Sequence, residues 1–127
     1  MIGTTRNLRV FAYTEPADLR KGFDGLYGMV TGELGRDPLS GECYLFVNRR
    51  RTRAKVLVWD GTGLCVFAKR LEQGRFASLW ERRRRRRALE LTTGELSLFL
   101  EGSELVGTRK LVPARYVPKS IEQHGVL

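Results

Sequence analysis

Twelve cationic side chains in three clusters are the residues of this 127-residue chain with the clearest chemical use. Arg49, Arg50, Arg51 and Arg53 stand together, Lys69 and Arg70 follow, and Arg82, Arg83, Arg84, Arg85, Arg86 and Arg87 run without interruption. Guanidinium groups match phosphate oxygens bidentately and stay charged at any physiological pH, so the chemistry on offer is phosphate contact. The net charge of +9 is concentrated accordingly. Residues 1–41 hold 5 basic and 5 acidic side chains, residues 42–87 hold 14 and 4 for a net +10, and residues 88–127 hold 4 and 5 for a net −1. A local excess of this size is the footprint of a nucleic-acid binder. The plainer reading is solvation: six adjacent arginines repel one another and favour an exposed loop.

Catalysis has little to work with. His124 is the one histidine, which leaves histidine-based triads and metal sites without material. Asp18, Asp24, Asp37 and Asp60 are candidates for a carboxylate-metal nuclease, since such sites need converging carboxylates to hold divalent ions. Each has a simpler role, in helix capping, on a helix surface, before a turn proline and in a hairpin turn. Cys43 and Cys65, the two cysteines, read as core residues and not as a disulfide or a zinc pair. No catalytic residue, no metal and no cofactor is expected. Base readout is not indicated either, because neither helix-turn-helix spacing nor a zinc finger is present.

The elements that must position the arginines centre on residues 55–76. Two apolar runs, 56–59 and 64–68, flank Asp60-Gly61-Thr62-Gly63 and predict a β-hairpin. With a third run at 43–47 the simplest topology is a three-stranded antiparallel meander whose middle strand is 55–60. Folding symmetrically about each turn sets Tyr44, Trp59 and Leu64 in one row and Phe46, Leu57 and Val66 two rows along. The other face then shows Leu45, Val58 and Cys65, followed by Val47, Val56 and Phe67. Both faces are apolar, so the sheet is expected to be covered on both sides, with Trp59 buried beside Tyr44 and Leu64. Arg49, Arg50, Arg51 and Arg53 then cap one hairpin tip.

Around the meander, residues 8–14 alternate as a first strand whose place in the sheet stays open. A helix is expected from 15–18 onward, with the stripe Leu19, Phe23, Leu26, Tyr27, Val30 and Leu34, closing at Gly35. Gly22, Gly25 and Gly28 could form a strip for close approach to the sheet or to another chain, the competing reading being a helix broken at one glycine. Asp37-Pro38-Leu39-Ser40-Gly41 is a turn, and 75–80 a plausible fourth strand. Thr92 and Glu95 form a capping box, with Leu91 and Leu96 as its hydrophobic staple, for a helix that runs to Glu101, stops at Gly102 and buries Leu96, Phe99 and Leu100. Residues 103–127 lack a clean period and read as a weakly ordered tail.

Residues 55–76, with Asp18-Leu19-Arg20-Lys21-Gly22-Phe23-Asp24-Gly25-Leu26 and Asp37-Pro38-Leu39-Ser40-Gly41, resemble the TnpB accessory protein encoded by the second reading frame of the insertion-sequence family numbered sixty-six. The resemblance spans about residues 8–80 and resumes near 91–102. It implies a bacterial mobile element and a small protein that assists transposition without being the main transposase. The arginine run departs from the family pattern, which implies a proline-containing loop after Gly74-Arg75-Phe76.

Together these readings predict one α+β domain, residues 1–102, with a mainly antiparallel sheet and flanking helices, followed by the 103–127 tail. The expected function is non-catalytic assistance of transposition through DNA, the transposase, or both. Expected partners are DNA phosphates with weak sequence preference and other proteins of the same element, with a second copy of the chain as a further candidate. No apolar run is long enough to span a membrane, and the first residues lack the apolar core of a signal peptide, so a cytoplasmic location is expected, with nucleoid association as one option within it. The alternatives are the carboxylate-metal nuclease and a protein-only scaffold whose arginines only solubilise it.

Overall fold

A computed structural model describes residues 8–80 and 87–102. Five strands and two helices follow in the order β1 Val10–Tyr13, α1 Phe23–Gly32, β2 Cys43–Val47, β3 Arg53–Trp59, β4 Leu64–Arg70, β5 Ala88–Leu91 and α2 Thr93–Leu100. They form one sheet in the order β4-β3-β2-β1-β5, antiparallel except where β1 lies parallel to β2. That parallel pair needs a crossover, and α1 supplies it. The class is α+β, with the expected meander at β2-β3-β4. Residues 103–127 lie outside the described residues, as does most of the arginine run.

The β3–β4 register is the expected one, with Trp59 opposite Leu64 and Leu57 opposite Val66. The β2–β3 register is two residues off the expected one: Tyr44 faces Leu57, not Trp59, and Val47 faces Ala54. Asn48 causes the difference. Its side-chain Oδ1 accepts hydrogen bonds from the backbone N–H groups of Thr52 at 2.9 Å and Arg53 at 3.0 Å, while Arg51 takes the left-handed conformation at φ 60°. The turn is thereby tightened, and the pairing with Val47 falls two residues earlier on β3, at Ala54. A shift of two leaves each side chain on its expected face. Trp59 is nevertheless displaced to the strand's end, half-buried and away from Tyr44.

Both faces of the sheet's interior are covered. On one, Val10, Ala12, Cys43, Leu45, Val47, Val56 and Val58 pack under Phe76, Ala77, Leu79 and Phe99 of α2, with the Phe76 and Phe99 rings stacked at 5.0 Å. On the other, Phe11, Tyr13, Tyr44, Phe46 and Leu57 pack under Ala17, Leu19, and Leu26 and Val30 of α1. The cover stops short of β4, where Phe67 remains 51% exposed. Residues 75–80 are not a fourth strand. They cross the sheet as an extended cover, since Phe76, Ala77 and Leu79 must bury their side chains on one face.

Helix α1 starts later than its stripe suggests. Asp18 accepts from the Arg20 backbone and side chain, so residues 17–21 form a turn that buries Ala17 and Leu19, and Phe23 stays exposed. Gly22 caps α1 without a side-chain bond. The glycine strip makes no close approach to the sheet: Cβ atoms at Gly22 and Gly28 would meet open space, and one at Gly25 would meet Lys21. Gly35, at φ 62°, closes the helix as expected, with the Arg36 N–H donating to the Val30 carbonyl at 3.0 Å. At α2 the capping box is complete: Thr92 N–H donates to Glu95 Oε1 at 2.9 Å, and Glu95 N–H donates to Thr92 Oγ1 at 3.0 Å. Phe99 is fully buried, Leu96 and Leu100 partly so.

Candidate nucleic-acid interface

The β2–β3 turn is rigid for a chain of four near-consecutive arginines. Besides the two bonds to its Oδ1, the Asn48 carbonyl accepts from Arg51 N–H at 3.0 Å and its amide donates to Thr52 Oγ1 at 3.2 Å. Arg51 is taken up by the fold: its carbonyl accepts from Phe76 N–H at 2.7 Å, and its guanidinium donates to the Phe76 carbonyl at 3.3 Å. Arg49, Arg50 and Arg53 are exposed. A cationic turn held this firmly presents charge with little ordering entropy left to lose.

Register brings the second cluster to the first. Arg53 lies directly opposite Arg70, and Ala54 opposite Lys69. Like charges facing each other across a pair of strands destabilise it, and the relief here is an exposed ion pair of Arg70 with Glu72 at 3.1 Å. The chain then wraps the turn, with Leu71 N–H donating to the Thr52 carbonyl at 2.8 Å, and so carries Arg75 to the same place. Arg75 is exposed and joins the cluster, although its position between Gly74 and Phe76 had read as the start of a strand. The signal for it was the buried aromatic at Phe76, which fixes the residue before it.

The third cluster is described only at Arg87. It is exposed, its carbonyl accepts from Thr14 N–H at 3.0 Å, and its guanidinium donates to Glu33 Oε1 at 2.8 Å. Arg82, Arg83, Arg84, Arg85 and Arg86 lie outside the described residues. Because β1 runs parallel to β2, and β5 pairs antiparallel with Tyr13 opposite Ala88, Arg87 stands at the same end of the sheet as the β2–β3 turn and Arg70. Two clusters separated in sequence, and Arg87, thus share one end.

The opposite end has another character. Arg9 is paired with Glu90 at 3.0 Å, and Arg36 with Glu42 at 3.1 Å. The hydrogen bond from Arg9 holds the Glu90 carboxyl below its ordinary range. The Arg36 guanidinium also lies 3.7 Å from the centre of the Phe11 ring. The Tyr44 hydroxyl sits 3.0 Å from the Asp37 carbonyl, the Glu42 carboxylate and the Ser40 hydroxyl. These cations are engaged by carboxylates, and Asp60 adds a further acid there.

The four aspartates considered for metal chemistry do local work. Asp18 binds Arg20, whose hydrogen bonds push its carboxyl well below the usual range, and it does not cap α1 as expected. Asp24 lies exposed in the first turn of α1, and Asp37 accepts from Leu39 N–H at 2.9 Å in its turn. Asp60 Oδ1 accepts from Thr62 N–H and Gly63 N–H, each at 2.9 Å, and these bonds lower its pKa to about 2. Among the described residues no three His, Cys, Asp or Glu side chains come together as a metal site would need. Tyr44 and Phe46 are fully buried and cannot stack on bases, while Trp59 is half-buried at the end remote from the arginines.

Two curated proteins of Sinorhizobium fredii (strain NBRC 101917 / NGR234) are similar to this chain. One, titled "Uncharacterized protein y4jC", is 40% identical over 76 residues, 60% of this chain and 65% of that protein, so the chain spans just under two thirds of its length. The other, titled "Uncharacterized protein y4hO", is 35% identical over 102 residues, 80% of this chain and 86% of that one. No solved structure matches. Residues 8–110 match the family described as IS66 Orf2 like protein, a match that takes in every described strand and helix, the basic end of the sheet included. The chain belongs to the IS66 Orf2-like family of insertion-sequence proteins.

Proposed function

We propose that the protein is a non-catalytic accessory factor in transposition that contacts DNA phosphates with the basic end of its sheet. Among the described residues, Arg49, Arg50, Arg53, Arg70, Arg75 and Arg87 form that surface. Lys69 is half-buried and contributes field more than contact. The carrying observation is the placement of Arg53 opposite Arg70 beside two further exposed arginines. A fold selected for stability alone gains nothing from that repulsion, whereas a phosphate chain laid across it would neutralise it. Its partners are DNA, with weak sequence preference, and the transposase or another product of the same element. Its place is the bacterial cytoplasm, at the nucleoid; among the described residues no helix is long and apolar enough to cross a membrane.

Salt titration of binding to a duplex tests this. Each neutralised phosphate contributes a slope of about −0.9 in log affinity against log salt. Changing Arg49, Arg50, Arg53 and Arg70 to serine should flatten the slope by about 2 to 4 units and weaken unrelated duplexes alike. An unchanged slope would eliminate this end as the contact surface. The Arg70–Glu72 and Arg87–Glu33 pairs favour a second reading, a protein-only scaffold whose charge is partly self-neutralised. Retained binding to the element's other products with no DNA binding at moderate salt would select it.

A further inference from the structure

We infer that β4 is a self-association edge, along which two copies of the chain join their sheets by antiparallel pairing of β4 with its counterpart, centred on Phe67. This is independent of the DNA reading. β4 is the sheet's outermost strand among the described residues, seven residues long and free of proline. Its middle residue, Phe67, is 51% exposed. Long, proline-free edges whose middle is apolar pair with other strands, and the two cations of this one, Lys69 and Arg70, stand at its last two positions.

The backbone sets which groups are on offer. Asp60 N–H donates to the Gly63 carbonyl at 3.0 Å, and Leu71 N–H to the Thr52 carbonyl at 2.8 Å, so the odd-numbered residues of β4 direct their backbone groups toward β3. Leu64, Val66, Ala68 and Arg70 direct theirs outward. Antiparallel pairing centred on Phe67 uses all four, with Val66 opposite Ala68 and Leu64 opposite Arg70. The two Phe67 side chains then face each other at a non-hydrogen-bonded position, where side chains come closest.

Charge selects a second copy in this orientation. Lys69 of one copy falls opposite Cys65 of the other, and the Cys65 Sγ lies 3.6 Å from Asp60 Oδ2. Each Lys69 therefore meets a carboxylate, twice by symmetry. Parallel pairing would instead set Lys69 and Arg70 against their own kind, and an acidic peptide would suit the Lys69 end while opposing Asp60 at the other.

Sedimentation equilibrium of the full chain reads the outcome. The weight-average mass of the parent should rise with concentration to twice that of the chain. Phe67→Glu should stay at monomer mass with an unchanged circular-dichroism spectrum, because that side chain is not part of either core. In a Cys65→Ser background, Phe67→Cys should oxidise to a linked dimer, since two copies of position 67 face each other, and Ala68→Cys should not. A parent that stays monomeric overturns the inference. Slow amide exchange at Val66 and Ala68 in such a monomer would show the edge already paired within the chain and would likewise overturn it. A dimer that survives Phe67→Glu and forms no Phe67→Cys link overturns it as well.

Discussion

Single residues at the two hairpin turns decide what the strands can present. Asp60 holds the β3–β4 turn through its carboxylate, and the N–H groups of Thr62 and Gly63 keep its pKa at about 2, against an ordinary 3.8. A group whose folded pKa is depressed stabilises fully above its unfolded value and loses that contribution as pH falls through the folded one. Urea midpoints of the parent should therefore drop between about pH 4 and pH 2 partly on account of Asp60, and Asp60→Asn should flatten that drop. An equal drop in both proteins would deny the turn its role. Asp60 was legible as a turn residue because Asp-Gly between apolar runs is a local signal. Asn48 was not, since its bonds reach four and five residues along the chain, and missing it misplaced Trp59 beside Tyr44. Trp59→Ala should accordingly cost less than the ~3 to 5 kcal/mol typical of a buried tryptophan.

Helices and strands were legible in proportion to how local their causes are. α2 carries its start signal within four residues and was read correctly. α1 was read too long, because Leu19 keeps helical spacing with Leu26 while sitting in the preceding turn, and spacing alone cannot separate the two. β5 was missed: Ala-Leu-Glu-Leu is short, follows the arginine run and is a strand only because β1 offers it an edge. Residues 75–80 resemble a strand in sequence because they are a short, largely apolar run, but Phe76, Ala77 and Leu79 spend that apolar character covering one face of the sheet. The glycines of α1 separate cleanly once positions are known. Gly28 opens to solvent, so Gly28→Ala should raise stability by about 1 kcal/mol through helix propensity. A Cβ at Gly25 would lie 2.6 Å from Lys21 Cβ, near the root of that side chain, so Gly25→Ala should lower stability by about 1 to 3 kcal/mol despite the same propensity gain. Chemical denaturation of the two variants reads opposite signs, and like signs would refute the assignment.

At the scale of the molecule, the strand order turns scattered charge into a single surface. Sequence could locate the arginines, and it could even place four of them at a turn, but only the parallel β1–β2 pair and the return of β5 bring Arg87 to the end that Arg53 and Arg70 occupy. Four interstrand steps of about 4.8 Å separate β4 from β5, so the surface is about 19 Å wide. That is about five or six phosphate spacings along one strand of duplex DNA. One duplex should then reach both margins, with two consequences. Each chain should bind one duplex, whatever its state of association. If the proposed reading holds, the slope lost by changing Arg49, Arg50 and Arg53 to serine should also add to the slope lost by changing residues 82–87, since the two groups would then meet the same phosphate chain without sharing a contact. Titration under stoichiometric conditions measures the first, and salt dependence of the two variants and their combination measures the second. Two duplexes per chain, or a combined variant no flatter than either parent variant, would mean that the clusters act as separate sites and that their shared end carries no functional unity.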